Sequence, residues 1–167
     1  MDPQGNATTG VGIDKKTVQK SIYHALIEDT KLEEITLPSC IDKLSAVPAN
    51  EHLSGLEVEL VSVLGRESKL KKALSQVLNF YEFIFIDCPP SFGLLTINAL
   101  TASHSVIIPI QCEYYALEGL GQLTKTLRLV HDNLNENLQI EGIVMSMADF
   151  RTNLTQEVIN EVKKHFG

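Results

Sequence analysis

Asp87 is the residue whose type and position most suggest chemistry, because it directly follows the apolar residues 83–86, which read FIFI. An ionised carboxylate beside such a run is costly unless it serves a cation or a hydrogen-bond network. In phosphate-handling α/β proteins, an Asp here holds Mg²⁺, usually through a coordinated water. The alternative is an Asp that only caps the turn into the next helix. The stiff turn at Pro89 and Pro90, followed by Gly93, favours a ligand-facing loop.

A loop that could cradle a phosphate does not occur in these 167 residues. The pattern required is G-x-x-x-x-G-K-[ST], in which backbone amides surround the phosphates and a lysine reaches the outer oxygens. Residues 5–10 have the glycine spacing, but Val11 and Gly12 follow where Lys and Ser or Thr are needed. Lys15 and Lys16 come too late in the chain to fill that role.

Short apolar runs alternate with amphipathic stripes along the chain, which is the pattern of an α/β fold. Three runs, residues 83–86, 106–108 and 143–145, are apolar on both faces, as in the strands of a parallel sheet. Residues 44–47 are a weaker strand candidate, since they include Ser45. Apolar residues at helical spacing predict helices over residues 18–26, 53–64, 70–78, 116–130 and 158–166. Ligands of open parallel sheets gather beyond the carboxyl ends of the strands, which here are residues 87–93, 111–119 and 147–153.

Composition excludes several classes of protein. The chain is 44% apolar and 21% charged, which is ordinary for a globular protein, and no apolar run approaches the length of a membrane span. The net charge of −7 has the wrong sign for a dedicated nucleic-acid coat. Cys40, Cys88 and Cys112 are widely spaced, which argues against zinc and disulfides and favours a reducing, cytoplasmic setting. The length predicts one domain over residues 1–167.

Four segments together identify a family. They read DPQGNATTGVG at residues 2–12, FIDCPPSFGLLTINAL at 85–100, PIQCEYYALEGL at 109–120 and MADFRTNL at 147–154. In this order they resemble the signature sequences of the ParA/Soj family of chromosome- and plasmid-partition ATPases. The first segment favours this partition branch over the related division-site regulator MinD and the nitrogenase iron protein.

The resemblance implies a P-loop NTPase-like α/β fold, with a mostly parallel sheet flanked by helices, and it implies a role for single residues. Asp2 is expected to be the switch I aspartate that helps to orient the attacking water. Asp87 is expected to be the Walker B carboxylate, which holds Mg²⁺ through water. Pro89, Pro90 and Gly93 are expected to form the switch II turn.

Two further residues receive roles from the resemblance alone. Glu113 is expected to lie near the nucleotide across a dimer interface, and Met147 near the base. For the parent family the resemblance implies ATP and Mg²⁺ as cofactors, dimerisation, non-specific DNA binding and a ParB-like partner that stimulates hydrolysis. It also implies a cytoplasmic, nucleoid-associated protein with no membrane partner. Arg128, Arg151 and Lys163 could contribute to DNA binding, although the net charge opposes strong binding.

The sequence departs from the family pattern at both ends. Family members begin with a strand, a K-G-G-x-G-K-T-[TS] loop and a helix before the segment that here occupies residues 2–12, and they continue with a further strand and helices. We therefore expect an incomplete domain that lacks ATPase activity by itself and binds neither ATP nor Mg²⁺ tightly. Exposed strand edges then favour a homodimer or a strand-exchanged oligomer. The alternatives are a nucleotide-free interaction module and another MinD/ParA-type positioning ATPase.

Overall fold

A computed structural model of the protein describes residues 1–113 and 116–166. The chain forms two compact units, Met1–Ala102 and Ser103–Gly167. Helices of the first unit are α1 (Asn6–Gly10), α2 (Ile22–Ile27), α3 (Leu32–Ile35), α4 (Leu56–Glu59), α5 (Lys69–Leu74) and α6 (Leu94–Ala102), with 3₁₀ turns at Glu51–Gly55, Arg66–Ser68 and Leu78–Phe80. Its strands β1 (Leu37–Pro38) and β2 (Ser45–Ala46) form an antiparallel pair.

The first unit is built around helix α2. Ser21 takes an extended N-cap conformation, and its amide donates a hydrogen bond of 3.1 Å to Nδ1 of His24, which fixes the start of the helix. Apolar residues spaced three and four apart, Ile22, Ala25 and Leu26, then point into the core. The helix predicted from residue 18 therefore begins at Ile22.

Helix α6 is buried on most sides, and a polar side chain fixes its position. Asn98 has no exposed surface, and its amide nitrogen donates to the carbonyl oxygens of Arg66 at 2.8 Å and Leu94 at 3.0 Å. Its side-chain oxygen accepts from the backbone amide of Leu70 at the start of α5, at 3.1 Å. Because each polar atom of Asn98 has a partner, its hydrogen bonds offset the cost of removing the amide from water and fix α6 against α5.

The strand predicted at residues 83–86 does not form. In the described part of the chain its backbone hydrogen-bonds to no other strand, and Phe83 and Phe85 are 72% and 82% exposed. A strand exists only through its ladder of hydrogen bonds, so an apolar run without a neighbour stays extended but unpaired. The strand predicted at residues 44–47 shortens to β2 and pairs antiparallel instead of parallel.

The second unit follows the predicted α/β pattern. Strands β3 (Ser105–Gln111) and β4 (Gln139–Ser146) are parallel, and helices α7 (Ala116–Asn133) and α8 (Asn153–Phe166) follow them. The register runs from Ser105 opposite Gln139 to Gln111 opposite Ser146, so the carboxyl ends of both strands lie side by side. The helices predicted over residues 116–130 and 158–166 are thereby confirmed, with somewhat longer bounds.

Candidate functional site

Asp2 and Asp87 line the same cavity of the first unit. The cavity has a volume of about 420 Å³, and its walls are mainly apolar, with the unpaired residues 83–86 along one side. Both carboxylates also lie near the thiol of Cys88. Burial raises the pKa of that thiol most, the N-terminal amine lowers it, and Asp87 and Asp2 raise it further. Two acidic residues that are 85 positions apart in the sequence thus line one cavity.

A tight turn fixes the backbone of Asp2. Its Oδ1 accepts a hydrogen bond of 2.9 Å from the amide of Gln4, and its carbonyl oxygen accepts one of 3.0 Å from the amide of Gly5. Gly5 has a φ of 60°, and a Cβ at this position would lie 2.5 Å from the carbonyl oxygen of Ala49. Glycine is therefore required here on both counts. Lys15 donates from Nζ to the carbonyl oxygen of Gln4 and so closes the turn from outside.

The side chain of Asp87 is exposed and has no hydrogen-bond or ion-pair partner among the residues that the structure describes. It follows the extended residues 83–86, so it stands at the end of that segment, where the sequence places it. A carboxylate that is open to solvent and unpaired keeps both oxygens available as acceptors. It does not act as a cap of the following helix, which starts at Leu94.

The loop after Asp87 is held by its own residues and by one carboxylate from another helix. The amide of Ser91 donates to the carbonyl oxygen of Pro89 at 2.8 Å, and Oγ1 of Thr96 donates to the carbonyl oxygen of Ser91 at 2.7 Å. Oε1 of Glu57, on α4, accepts a hydrogen bond of 2.6 Å from the amide of Leu94. Residues 89–93, with the predicted switch residues Pro89, Pro90 and Gly93, therefore form a defined turn that leads into α6.

The other predicted residues lie in the second unit, at the carboxyl ends of the two parallel strands. Glu113 is exposed two residues after β3, and its amide donates to the carbonyl oxygen of Gln111 at 2.9 Å. Met147 directly follows β4, is 77% exposed and has a φ of 53°. A left-handed conformation is uncommon for an unbranched apolar residue, and such outliers often mark ligand-binding loops.

An arginine fork follows Met147. Nε and an Nη atom of Arg151 donate to the two carboxylate oxygens of Asp149 at 2.8 and 2.7 Å, in a bidentate pair. These hydrogen bonds lower the pKa of Asp149 and raise the pKa of Arg151. Although the Arg151 side chain is 89% exposed, its guanidinium is already engaged by a carboxylate.

The first unit offers donors that suit a hydrated divalent ion. No group of three or more His, Cys, Asp or Glu that could hold a metal ion occurs among the described residues. Mg²⁺ does not need such a cage, because it usually retains several waters and uses one or two carboxylates. The free carboxylate of Asp87 and the second oxygen of Asp2 at the same cavity meet that requirement. The residues present therefore fit Mg²⁺ bound through water.

Glu57 was not predicted from the sequence. It lies 37 residues before Leu94, in a stripe whose apolar spacing draws attention to the leucines, and its partner is a backbone amide. Backbone partners leave no pattern in side-chain types. Gly93 was the one feature of the sequence that pointed to such a contact. A glycine just before a helix allows a group from another element to approach the backbone closely.

Comparison with known proteins gives consistent matches. The family model described as "AAA domain" matches residues 1–140. The sporulation initiation inhibitor protein Soj of Bacillus subtilis is 54% identical over 99% of this chain and 66% of its own length. The chromosome-partitioning ATPase Soj of Treponema pallidum is 45% identical over 100% of this chain and 65% of its own. The chain therefore spans just under two-thirds of these curated relatives.

A solved structure matches the fold closely. Cobyrinic acid a,c-diamide synthase of Mycobacterium smegmatis, solved with a bound ATP analogue and magnesium, superposes with a TM-score of 0.92. The sequences are 35% identical, and the match covers 99% of this chain and 67% of the other. The predicted P-loop NTPase-like α/β fold is thus confirmed. Within the described residues, no helix combines the length and the apolar character that crossing a membrane requires.

Proposed function

The chain belongs to the ParA/Soj family of partition ATPases, and from this premise we propose that it is the core of an ATP-dependent switch for chromosome or plasmid partition. Both units form parts of one ATPase domain in this proposal. The observation that carries it is the convergence of Asp2 and Asp87 on one cavity of the first unit. The alternative of a nucleotide-free interaction module gives no role to an unpaired carboxylate at this position.

Each residue of the site has a defined task. Asp87, whose oxygens have no partner among the described residues, would hold Mg²⁺ through a coordinated water. Asp2, fixed by the Gln4 amide, would help to orient the attacking water through its second oxygen. Mg²⁺, when bound, supplies positive charge that stabilises the developing charge on the phosphate oxygens. As the family likeness implies, Glu113 would lie near the nucleotide across a dimer interface, and Met147 near the base.

The experiment that tests this function uses a chimera, here called the Soj chimera, in which the 167 residues replace the matching 65% of the Treponema pallidum Soj ATPase. We expect the Soj chimera to hydrolyse ATP in a Mg²⁺-dependent manner at a rate similar to that of the parent. The 167-residue chain alone lacks a lysine-bearing phosphate loop and should show no hydrolysis above background. A folded chimera without activity would contradict the proposed function.

We propose DNA and a ParB-like protein as partners of the complete switch. The Arg151 side chain is 89% exposed, and its fork geometry suits phosphate oxygens as well as the carboxylate that now holds it. On contact with DNA, the Arg151 guanidinium would release the Asp149 carboxylate and bind a phosphate instead. Because the chain carries a net charge of −7, this binding is expected to be weak, and it should fall further as salt is raised.

Self-association of the 167-residue chain is expected through residues 83–86, whose backbone pairs with no described strand and whose phenylalanines are exposed. Replacing Phe85 by Ser should raise the dimer dissociation constant at least about tenfold, since burial of one Phe side chain contributes roughly 1.5–3 kcal/mol. Antiparallel pairing of two copies places Glu82 opposite Asp87, so salt should strengthen the association. Sedimentation velocity over a dilution series measures the constant.

The matched control is Phe150→Ser, because Phe150 is 79% exposed but lies outside this segment. It should leave the dissociation constant unchanged. A wild-type chain that remains monomeric at high concentration and high salt would rule out association through residues 83–86.

A further inference from the structure

We propose that Glu57 is a positioning residue, which holds residues 89–93 and thereby sets the loop that follows Asp87. The inference rests on the proposed function for its catalytic consequence, but the contact itself is a feature of this chain. It connects α4 with the start of α6 and involves no residue of the four family segments except Gly93 and Leu94.

The contact is short and charge-assisted. Oε1 of Glu57 accepts the amide hydrogen of Leu94 at 2.6 Å, at the first residue of a helix of nine residues. Amides at a helix N-terminus have no partner within the helix and carry partial positive charge. A carboxylate there stabilises the helix start in this position more strongly than a neutral acceptor does.

Gly93 makes the approach possible. A Cβ at this position would lie 2.0 Å from Oε1 of Glu57, so the carboxylate lies directly against the glycine backbone. Any larger residue would push the flexible Glu57 side chain away from the Leu94 amide. The glycine therefore serves this contact, because its own φ does not lie in the left-handed region.

Glu57 differs from the other groups that hold this loop, because it comes from another element of the fold. In the part of the chain that the structure describes, no other side chain from outside residues 87–102 hydrogen-bonds to residues 87–94. The loop otherwise depends on its own short-range bonds from Ser91 and Thr96. Because Glu57 is exposed, its hydrogen bond to the Leu94 amide can break without unpacking the core. Loss of this hydrogen bond frees the loop next to Asp87.

Amide hydrogen exchange of the 167-residue chain tests the contact without nucleotide. Glu57→Ala is expected to speed exchange at Leu94 about tenfold or more, because one charge-assisted hydrogen bond is lost. Glu57→Gln, which keeps the acceptor oxygen, should restore much of the protection. Gly93→Ala should reproduce the effect of Glu57→Ala.

Glu59→Ala is the matched control. Glu59 lies on the same helix, is also exposed, and accepts a hydrogen bond of 2.7 Å from the hydroxyl of Tyr23 instead of from the loop. Its loss should leave exchange at Leu94 unchanged. Unchanged exchange in Glu57→Ala would overturn the proposal, and so would faster exchange at Leu94 accompanied by equal acceleration throughout α5.

The catalytic consequence is measured in the Soj chimera. Glu57→Ala should lower kcat about tenfold with little change in KM for ATP, since the loop acts on the reacting groups and not on nucleotide binding. Glu57→Gln should recover most of kcat. An inactive unmodified chimera refutes the proposed function but leaves the exchange result valid, whereas normal kcat in Glu57→Ala refutes the positioning role alone.

Discussion

Asp87→Asn in the Soj chimera is expected to lower kcat for ATP hydrolysis by about 10²- to 10³-fold, the range found when one preorganised electrostatic group is removed from an active site. Asn has the same shape but carries no charge, so it holds a water on Mg²⁺ less firmly. The fold should not suffer, because the Asp87 side chain is exposed and has no partner among the described residues. Initial rates over a Mg²⁺ titration provide the measurement.

The control is Asp42→Asn, which removes an exposed carboxylate of the same unit that does not line the cavity. It should keep the rate of the unmodified chimera. Equal rates for Asp87→Asn and Asp42→Asn would show that Asp87 serves no ion. A large loss of rate in both variants would point to a general effect of net charge instead of a metal site.

The largest effect on stability is expected for Leu26→Ala. Leu26 has no exposed surface and lies at the centre of the core formed by α2 and its neighbours. Truncating a fully buried leucine removes apolar burial and leaves a cavity, which costs about 2–5 kcal/mol. Small domains are stable by only about 5–15 kcal/mol, so a large fraction of the folded stability is lost. Urea unfolding of the 167-residue chain measures the difference in the free energy of unfolding.

Leu64→Ala makes the same chemical change at a leucine that is 99% exposed. It should shift the free energy of unfolding by no more than about 0.5 kcal/mol. If Leu26→Ala were equally mild, the core around α2 would not be packed as described. Both variants lose a leucine, so any effect of that loss on the unfolded chain is common to both. It cancels when the two changes in the free energy of unfolding are compared.

The sequence best predicts helices and strands that have a regular apolar pattern and whose packing partners are near in the chain. Helices α7 and α8 show long, regular apolar spacing, and β3 and β4 pair with each other, so local pattern and tertiary structure agree. Residues 83–86 have an equally clear strand pattern, but no strand in the described part of the chain pairs with them. The β-propensity of a segment shows only that its residues favour an extended conformation. A sheet forms only when a second strand lies beside that segment.

The residues of the candidate site also differ in how far the sequence predicts them. Asp87 stands out because a charge ends an apolar run, and Asp2 was found only through the family segment that contains it. Glu57 escaped prediction because its partner is the Leu94 amide, and backbone groups are the same at every residue. A hydrogen bond from a side chain to a backbone amide depends on where the backbone runs and not on the type of the residue that carries the amide.

In the proposed function, Asp87 serves a hydrated divalent ion beside a triphosphate. A crystal structure of the Soj chimera with Mg²⁺ and a non-hydrolysable ATP analogue tests it most directly. We predict that the Asp87 carboxylate accepts a hydrogen bond from a water bound to Mg²⁺, with Asp2 at the same cavity. An ion held without Asp87, or a carboxylate turned into a salt bridge away from the nucleotide, would contradict the claim.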